Sequence, residues 1–186
     1  LNSCGPHVKA QIGRVLAEKA PGVHYASVAV MSAVPPLRHR VPLVADGPGA
    51  RLLQAALQPL GMNVEVLEGP LGTAALLKMC RSVLLKGIEA VFLEGLLAAE
   101  KAGLTERVLA SLDASFPGKS LREIGTYLVE RHGQHGARRA HELHDAVETL
   151  EQLGIEPLVT RGAWQRLSQG AKAGAGDAAQ DSHGWR

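Results

Sequence analysis

The feature that most constrains the fold is one long helical pattern over residues 72–102. A helix of about 30 residues is about 45 Å long. Its apolar residues cover most of the helix circumference instead of one stripe, so a single neighbouring layer cannot cover them. These residues are Leu76, Leu77, Val83, Leu84, Leu85, Ile88, Val91, Phe92, Leu96 and Leu97. The pattern predicts one long helix that is buried on several sides.

The composition is that of a soluble globular protein and argues against two classes of partner. Hydrophobic residues make up 46% of the chain, but Lys86, Glu89 and Glu94 interrupt the best candidate for a membrane span. A formal net charge of +2 with 3% aromatic residues offers neither a basic surface nor a stacking platform for nucleic acid. We therefore expect no membrane and no nucleic-acid partner. Two distant cysteines without a CxxC spacing indicate a reducing compartment, the cytoplasm.

The chain changes character near residue 70. Before it, helical patterns alternate with short apolar or β-branched runs, as in an α/β domain. The helical patterns cover residues 8–20 and 50–60, and the predicted strands cover residues 23–31, 42–45 and 63–67. The Pro-rich residues 32–36 predict a rigid loop after the first strand.

Beyond residue 70 every pattern is helical. After the long helix, the predicted helices cover residues 104–115, 121–132, 137–153 and 158–168. The fold class we predict is α+β, a remnant of a Rossmann-like α/β domain followed by an all-α domain. Residues 1–69 form the first domain, residues 70–169 form a helical substrate and dimerisation domain, and residues 170–186 form a disordered tail.

Lys78 is the main candidate for chemistry, because it is a charged residue inside the apolar helix. Desolvation disfavours the charged form of a lysine, so such a residue can exchange a proton with a substrate hydroxyl. Lys78, Ser82, Lys86 and Glu89 recur at helical spacing and form a polar stripe that could line a cleft. The alternative is a lysine whose stem packs while its amine reaches water, and periodicity alone favours that alternative.

Four segments resemble the β-hydroxyacid dehydrogenases (3-hydroxyisobutyrate dehydrogenase and relatives) in order and spacing. Gly72, followed by Lys78 six residues later, resembles the catalytic-helix motif of that family. Residues 94–104 resemble the family segment in which a Glu-Ala pair is followed by a helix that ends at a glycine. Residues 2–6 resemble the Ser-Thr-x-x-Pro element near the cofactor ring, and residues 27–33 resemble the substrate loop. The resemblance covers roughly residues 1–165.

This resemblance implies an oxidoreductase that moves a hydride between a nicotinamide, NAD or NADP, and a small hydroxy acid. Lys78 is then the general acid/base. Ser3 is placed beside the cofactor, and no metal ligand set is implied. The implied substrate-binding residues are Ser32, Ala33, Arg81, Ser82 and His141. The family uses its helical domain for dimerisation, which agrees with the apolar surface of the long helix and predicts a homodimer.

Departures from the family pattern point to a different substrate. Arg81 and Ser82 stand where the family has two Asn, and Met31 stands where the substrate loop has Ser. His141-Glu142 stands where the family has a late Lys-Asp pair. This variant pattern resembles a subgroup labelled 6-phosphogluconate-dehydrogenase-like with a C-terminal domain of unknown function. We therefore expect a substrate other than 3-hydroxyisobutyrate.

A dinucleotide-binding turn is missing from the sequence. No Gly-x-Gly-x-x-Gly occurs, so the turn that holds a pyrophosphate is absent. We expect the chain to be the C-terminal part of a longer protein, and to bind NAD or NADP weakly by itself. The alternative function is a non-catalytic helical dimerisation module.

Other polar residues have simpler interpretations. His141 and His144 are three residues apart, which does not match the zinc-binding pair of a zincin. Arg138 and Arg139 could bind an anionic substrate group, but ion pairs with Glu142 are favoured.

Overall fold

The computed structural model describes residues 4–173, which belong to two compact units. The sequence predicts a domain boundary near residue 70. The compact units instead divide between Gly87 and Ile88, inside the long helix α4 (Thr73–Lys101). The reason is that the first turn of α4 is part of the core around the small sheet. Residues 73–87 therefore belong to the first unit, and residues 88–101 belong to the second.

The first unit is a three-stranded sheet with helices. Its other elements are α1 (Pro6–Lys19), β1 (Ser27–Val30), the one-turn helix α2 (Val34–Leu37), β2 (Leu43–Asp46), α3 (Ala50–Leu57) and β3 (Val64–Val66). The strand order is β1-β2-β3, with β1 antiparallel and β3 parallel to β2. The parallel pair requires a crossover connection, which α3 supplies.

Alternation of side chains gives the sheet two apolar faces. One face, with Val28, Leu43 and Val64, packs with Ala50 of α3. The other face, with Ala29 and Val44, packs with Ala74 of α4. Both faces are covered within this unit, as expected for the remnant of an α/β domain.

A buried carboxylate joins β2 to the start of α4. Asp46 is fully buried, and its two oxygens accept hydrogen bonds from the backbone N–H groups of Gly72 (2.8 Å) and Ala74 (2.7 Å). These N–H groups lie at a helix N-terminus and have no partner within the helix. A negative charge at this position is also favourable to the helix dipole. Gly72 has φ +104 and its Cα lies against the Pro6 backbone, where an added Cβ would be 2.7 Å from the Pro6 oxygen.

The connections of the first unit differ from the sequence prediction in detail. Residues 34–37 form the one-turn helix α2, because Pro35 and Pro36 stand where helix N-termini tolerate proline. A 3-10 turn, Arg38–Arg40, follows it. The predicted rigid loop over residues 32–36 is therefore partly helical. β1 and β3 are shorter than predicted, because only the paired residues keep strand hydrogen bonds.

The second unit is all helical, as predicted. It contains residues 88–101 of α4 with α5 (Thr105–Ser115), α6 (Leu121–Gln152) and α7 (Leu158–Ala173). The two helices predicted over residues 121–153 are one helix with a kink at His135 (φ −134, ψ 20). Gly133 and Gly136 flank this residue and weaken the helix there. α7 continues to Ala173, so the first residues of the predicted tail are helical, and residues 174–186 lie outside the described residues.

In the second unit, Glu94 accepts hydrogen bonds at the start of a helix, as Asp46 does in the first unit. Its carboxylate is buried and accepts hydrogen bonds from the N–H groups of Val159 and Thr160, each 2.8 Å long, at the start of α7. Burial by itself raises the pKa of Glu94, but the hydrogen bonds from these two residues outweigh it and hold the pKa below the ordinary value. Glu94 therefore docks α7 onto α4.

The long helix forms as predicted, but the chain by itself leaves much of its apolar surface exposed. Val83 and Leu84 are 73% and 68% exposed. The other large apolar residues exposed on α4 are Leu76, Leu77, Leu85, Ile88, Val91, Phe92, Leu93 and Leu97. The burial on several sides that the sequence predicts is therefore not supplied by this chain alone. In the part of the chain that the structure describes, no helix is both long and apolar enough to cross a bilayer.

Replacing Asp46 with Ala should lower the free energy of unfolding by about 3 kcal/mol, because two buried N–H groups lose a charged acceptor. Chemical denaturation followed by circular dichroism measures this. The matched control is Glu68→Gln, which removes an exposed ion pair with Arg51 and should cost less than about 1 kcal/mol. Equal losses in the two variants would contradict the anchoring role of Asp46.

Replacing Glu94 with Gln should lower the unfolding free energy by about 1 to 2 kcal/mol at neutral pH. The unfolded chain binds a proton at Glu94 more readily than the folded chain does. The stabilisation is therefore complete above the ordinary glutamate pKa of 4.5 and is lost as the pH falls below it. Denaturation curves between neutral and acidic pH should converge for wild type and variant. The exposed Glu89→Gln on the same helix is the control, and parallel curves for Glu94→Gln would disprove the assignment.

Candidate functional site

The start of α4 lies on the sheet. Gly72 and Ala74 donate hydrogen bonds to Asp46, which pairs with Ser27 in the first register position of β1. Ala74 also shares an apolar cluster with Ala29 and Val44, against which Met31 packs. The first turn of α4 therefore lies over β1 and β2.

Lys78 lies one turn beyond Ala74, on the same face of α4. Its side chain is half-buried, and it has no hydrogen bond or ion pair among the described residues. Neighbouring Leu76, Leu77 and Cys80 are exposed, whereas Met79 and Ser82 are half-buried like Lys78. Lys78 therefore lies on the partly covered side of the helix, and its amine has no protein partner among the described residues.

The residues of the predicted substrate loop lie at the end of β1. Ser32 and Ala33 follow β1 directly and are exposed. The connection is closed at its base by a hydrogen bond from the Met31 N–H to the Pro42 oxygen, 2.9 Å long. Four predicted site residues therefore belong to the first unit. Ser32 and Ala33 lie directly after β1, and Lys78 and Ser82 lie on one face of α4.

The remaining predicted site residues are not brought into this group. Arg81 is exposed and stands on α4 about 100° from Ser82. His141 is exposed on α6 in the second unit. Ser3 lies outside the described residues. Their assignments as substrate and cofactor contacts stay predictions.

Ion pairs and possible metal ligands of α6 agree with the simpler interpretation. Arg138 forms the predicted ion pair with Glu142. One group of potential metal ligands is present in the described part of the chain, formed by His144, Asp145 and Glu148. Asp145 and Glu148 are exposed, and Nδ1 of His144 lies 3.8 Å from Glu148. This arrangement fits an ordinary surface ion pair on a helix.

Sequence reasoning missed two buried charges. Asp46 directly follows the predicted strand over residues 42–45, and only its position between this strand and the helix that begins at Ala50 could have drawn attention to it. Lys9, not Lys78, is the most buried lysine among the described residues, with 3% exposure. It lies between Pro6 and Gly13 on the face of α1 that packs on the turn preceding α4. No apolar pattern around Lys9 indicates this burial.

A glycine turn after β2 tests whether these residues could hold a dinucleotide. Gly47 and Gly49 stand between a strand and a helix N-terminus, where such turns bind phosphate. The space at Gly49 is occupied, because an added Cβ would lie 2.4 Å from the His24 oxygen. The Gly49 N–H also donates to the Tyr25 oxygen, 2.8 Å away. The described residues therefore do not form a pyrophosphate site.

Comparison with known proteins agrees with this architecture. Residues 99–169 match the model of the domain of unknown function DUF1932. A conserved hypothetical protein from Sinorhizobium meliloti 1021 is 37% identical, with a TM-score of 0.56, over 97% of this chain and 60% of its own. A conserved protein of unknown function, described as structurally similar to 3-hydroxyacid dehydrogenases, is 26% identical with a TM-score of 0.56, over 94% of this chain and 66% of its own.

Reductases share the fold at lower identity. A variant of an imine reductase from Myxococcus stipitatus, solved with NAD+, is 18% identical with a TM-score of 0.74, over 95% of this chain and 65% of its own. Other reductases of this fold are solved with NADPH.

The chain spans less than the full length of its relatives. It covers 49% of an uncharacterised 28.5 kDa protein from Methanothermus fervidus, to which it is 26% identical over 125 residues. From the match over residues 99–169 and from these structural neighbours, the chain has the fold of 3-hydroxyacid dehydrogenase-like proteins and imine reductases, with DUF1932 as its C-terminal domain.

Proposed function

We propose that this chain forms the substrate side of an NAD- or NADP-dependent oxidoreductase that acts on a small hydroxy acid. The observation that carries the proposal is the position of Lys78. Lys78 is half-buried, lies one turn beyond the Asp46 anchor at the start of α4, and has no protein partner among the described residues. The proposal brings this amine together with Ser32 and Ala33 at the substrate. The nicotinamide would accept or deliver the hydride, and it would be held by residues outside those described.

The chemistry that these residues supply is the movement of one proton. In oxidation of a hydroxy acid, the Lys78 amine would accept the hydroxyl proton while the carbon gives its hydride to the nicotinamide. In reduction, the ammonium returns that proton to the carbonyl oxygen. Ser32 can donate a hydrogen bond that positions the substrate. We further place the activity in the cytoplasm, because two distant cysteines without a CxxC spacing fit a reducing compartment.

In the full-length enzyme, Lys78→Ala should lower kcat by a factor of about 100 or more, because a positioned acid/base contributes that much. Steady-state rates of NAD(P)H formation with a panel of hydroxy acids measure it. The control is Lys86→Ala, an exposed lysine two turns further along α4, which should keep kcat within about twofold of wild type. Turnover of Lys78→Ala near the wild-type rate would remove this residue from the mechanism.

The exposed face of α4 supports a second part of the proposal, a homodimer. In the second unit, Phe92, Leu93, Leu96 and Leu97 line a groove of about 410 Å³. Continuous apolar exposure of this kind marks an interaction surface in a folded protein. A second copy is the occupant we propose, because two identical apolar helices can cover each other about a two-fold axis. The alternative function, a dimerisation module without catalysis, rests on the same surface.

Light scattering should therefore give twice the chain mass of 19.6 kDa, with an interface above about 2,000 Å². Leu84→Asp combined with Ile88→Asp should yield a monomer or an aggregating chain, because two charges enter an apolar contact. The control is Leu60→Asp, which changes a similarly exposed leucine outside α4 and should leave the dimer intact. A monodisperse monomer of the wild-type chain would disprove the proposal.

A further inference from the structure

Arg38 has a strained backbone. Its dihedral angles are φ 51 and ψ −126, and it is the one non-glycine residue with positive φ among the described residues. A side chain with a Cβ is disfavoured there, and glycine would adopt the conformation freely. Such outliers persist where surrounding contacts impose them, and they concentrate at sites of function.

Hydrogen bonds on both sides hold Arg38 in this conformation. Its N–H donates to the Val34 oxygen, and its own oxygen accepts the N–H of Val41 at 3.3 Å. Val41 is buried in the core beneath the sheet. The turn is therefore fixed at its base, while the side chains of Arg38, His39 and Arg40 are exposed.

The turn lies in the connection between β1 and β2, which also contains Ser32 and Ala33. β1 and β2 are antiparallel, and Val30 pairs with Leu43, so the whole connection stays at one end of the sheet. The strained arginine therefore belongs to the same connection as the predicted substrate-binding residues Ser32 and Ala33.

The connection carries cations without carboxylates. Residues 31–45 contain Arg38 and Arg40 but no Asp or Glu. Neither Arg38 nor Arg40 forms an ion pair within the described part of the chain. Other arginines do, since Arg51, Arg138 and Arg161 each pair with a glutamate. Unpaired cations in one place favour an anionic ligand.

We propose that Arg38, assisted by Arg40, binds the acidic group of the substrate and makes the enzyme selective for anionic substrates. A guanidinium presents two parallel N–H donors that match the two oxygens of a carboxylate or phosphate. The strained turn holds the Arg38 backbone in place, so less conformational entropy is lost when the side chain binds a ligand. This inference rests on the proposed function, because it assigns the acidic end of the same substrate whose hydroxyl Lys78 serves.

The test is a nuclear magnetic resonance titration of the whole 186-residue chain with 3-hydroxypropionate, with its neutral methyl ester, and with glycerol 3-phosphate. The expected result is that an acid shifts the amide signals of Ser32, Ala33, Arg38 and Arg40, while the ester does not. A response to 3-hydroxypropionate alone assigns a carboxylate site, and a response to glycerol 3-phosphate alone assigns a phosphate site. Equal shifts with the ester, or no shift with either acid, would overturn the inference.

Three variants separate charge, geometry and strain. Arg38→Gln should weaken binding of the acid about tenfold or more, since a charged hydrogen bond is lost, and Arg38→Lys should lie between it and wild type. Arg38→Gly should lose binding but raise the melting temperature, because glycine relieves the strained φ. Arg51→Gln, an exposed arginine with a glutamate partner, is the matched control and should bind as wild type does. Wild-type affinity in Arg38→Gln would refute the proposal.

The titration is independent of hydride transfer, so the two proposals can fail separately. If Arg38 binds the anion but the protein oxidises no hydroxy acid, the anion site is supported and the proposed reaction is refuted. If the protein oxidises hydroxy acids and their esters at equal rates and binds no anion at Arg38, the reaction is supported and the role of Arg38 is refuted.

Discussion

The hydrogen bonds from Gly72 and Ala74 to Asp46 are the interaction on which the first unit depends. A carboxylate without partners could not remain in this interior, since burial of an uncompensated charge is far more costly than a hydrogen bond is favourable. The sheet and the start of α4 therefore stabilise each other, because each supplies the hydrogen-bond partners of the other. This one contact fixes the start of the helix that carries Lys78.

Glu94 shows the same solution in the second unit, where a helix from elsewhere in the chain supplies the N–H groups. Both carboxylates satisfy donors that every helix leaves unpaired at its start. Each of them anchors the part of α4 that belongs to its own unit. The chemistry proposed for Lys78 and the contact between copies proposed for the apolar face thus use one helix whose two halves are each anchored by a buried acid.

The sequence predicted the long helix well, because apolar periodicity over residues 72–102 leaves few other solutions. Strand positions also followed from apolar runs, within a few residues. Asp46 and Lys9 were not found, since burial of a charge depends on partners that are distant in sequence. Arg38 was missed for a different reason. Its strain arises from hydrogen bonds around a turn, and an arginine gives no local signal for positive φ.

The contact of Glu94 with α7 has a consequence for the order of folding. Its partners, Val159 and Thr160, are 65 and 66 residues further along the chain. Closing a loop of this length takes longer than forming helical turns, although its entropic cost grows only slowly with length. α5 and α6 can form from local contacts before the loop closes, whereas α7 lacks an acceptor for its first N–H groups until Glu94 is reached. We therefore expect α7 to dock last, so that the final step of folding also completes the burial of Glu94.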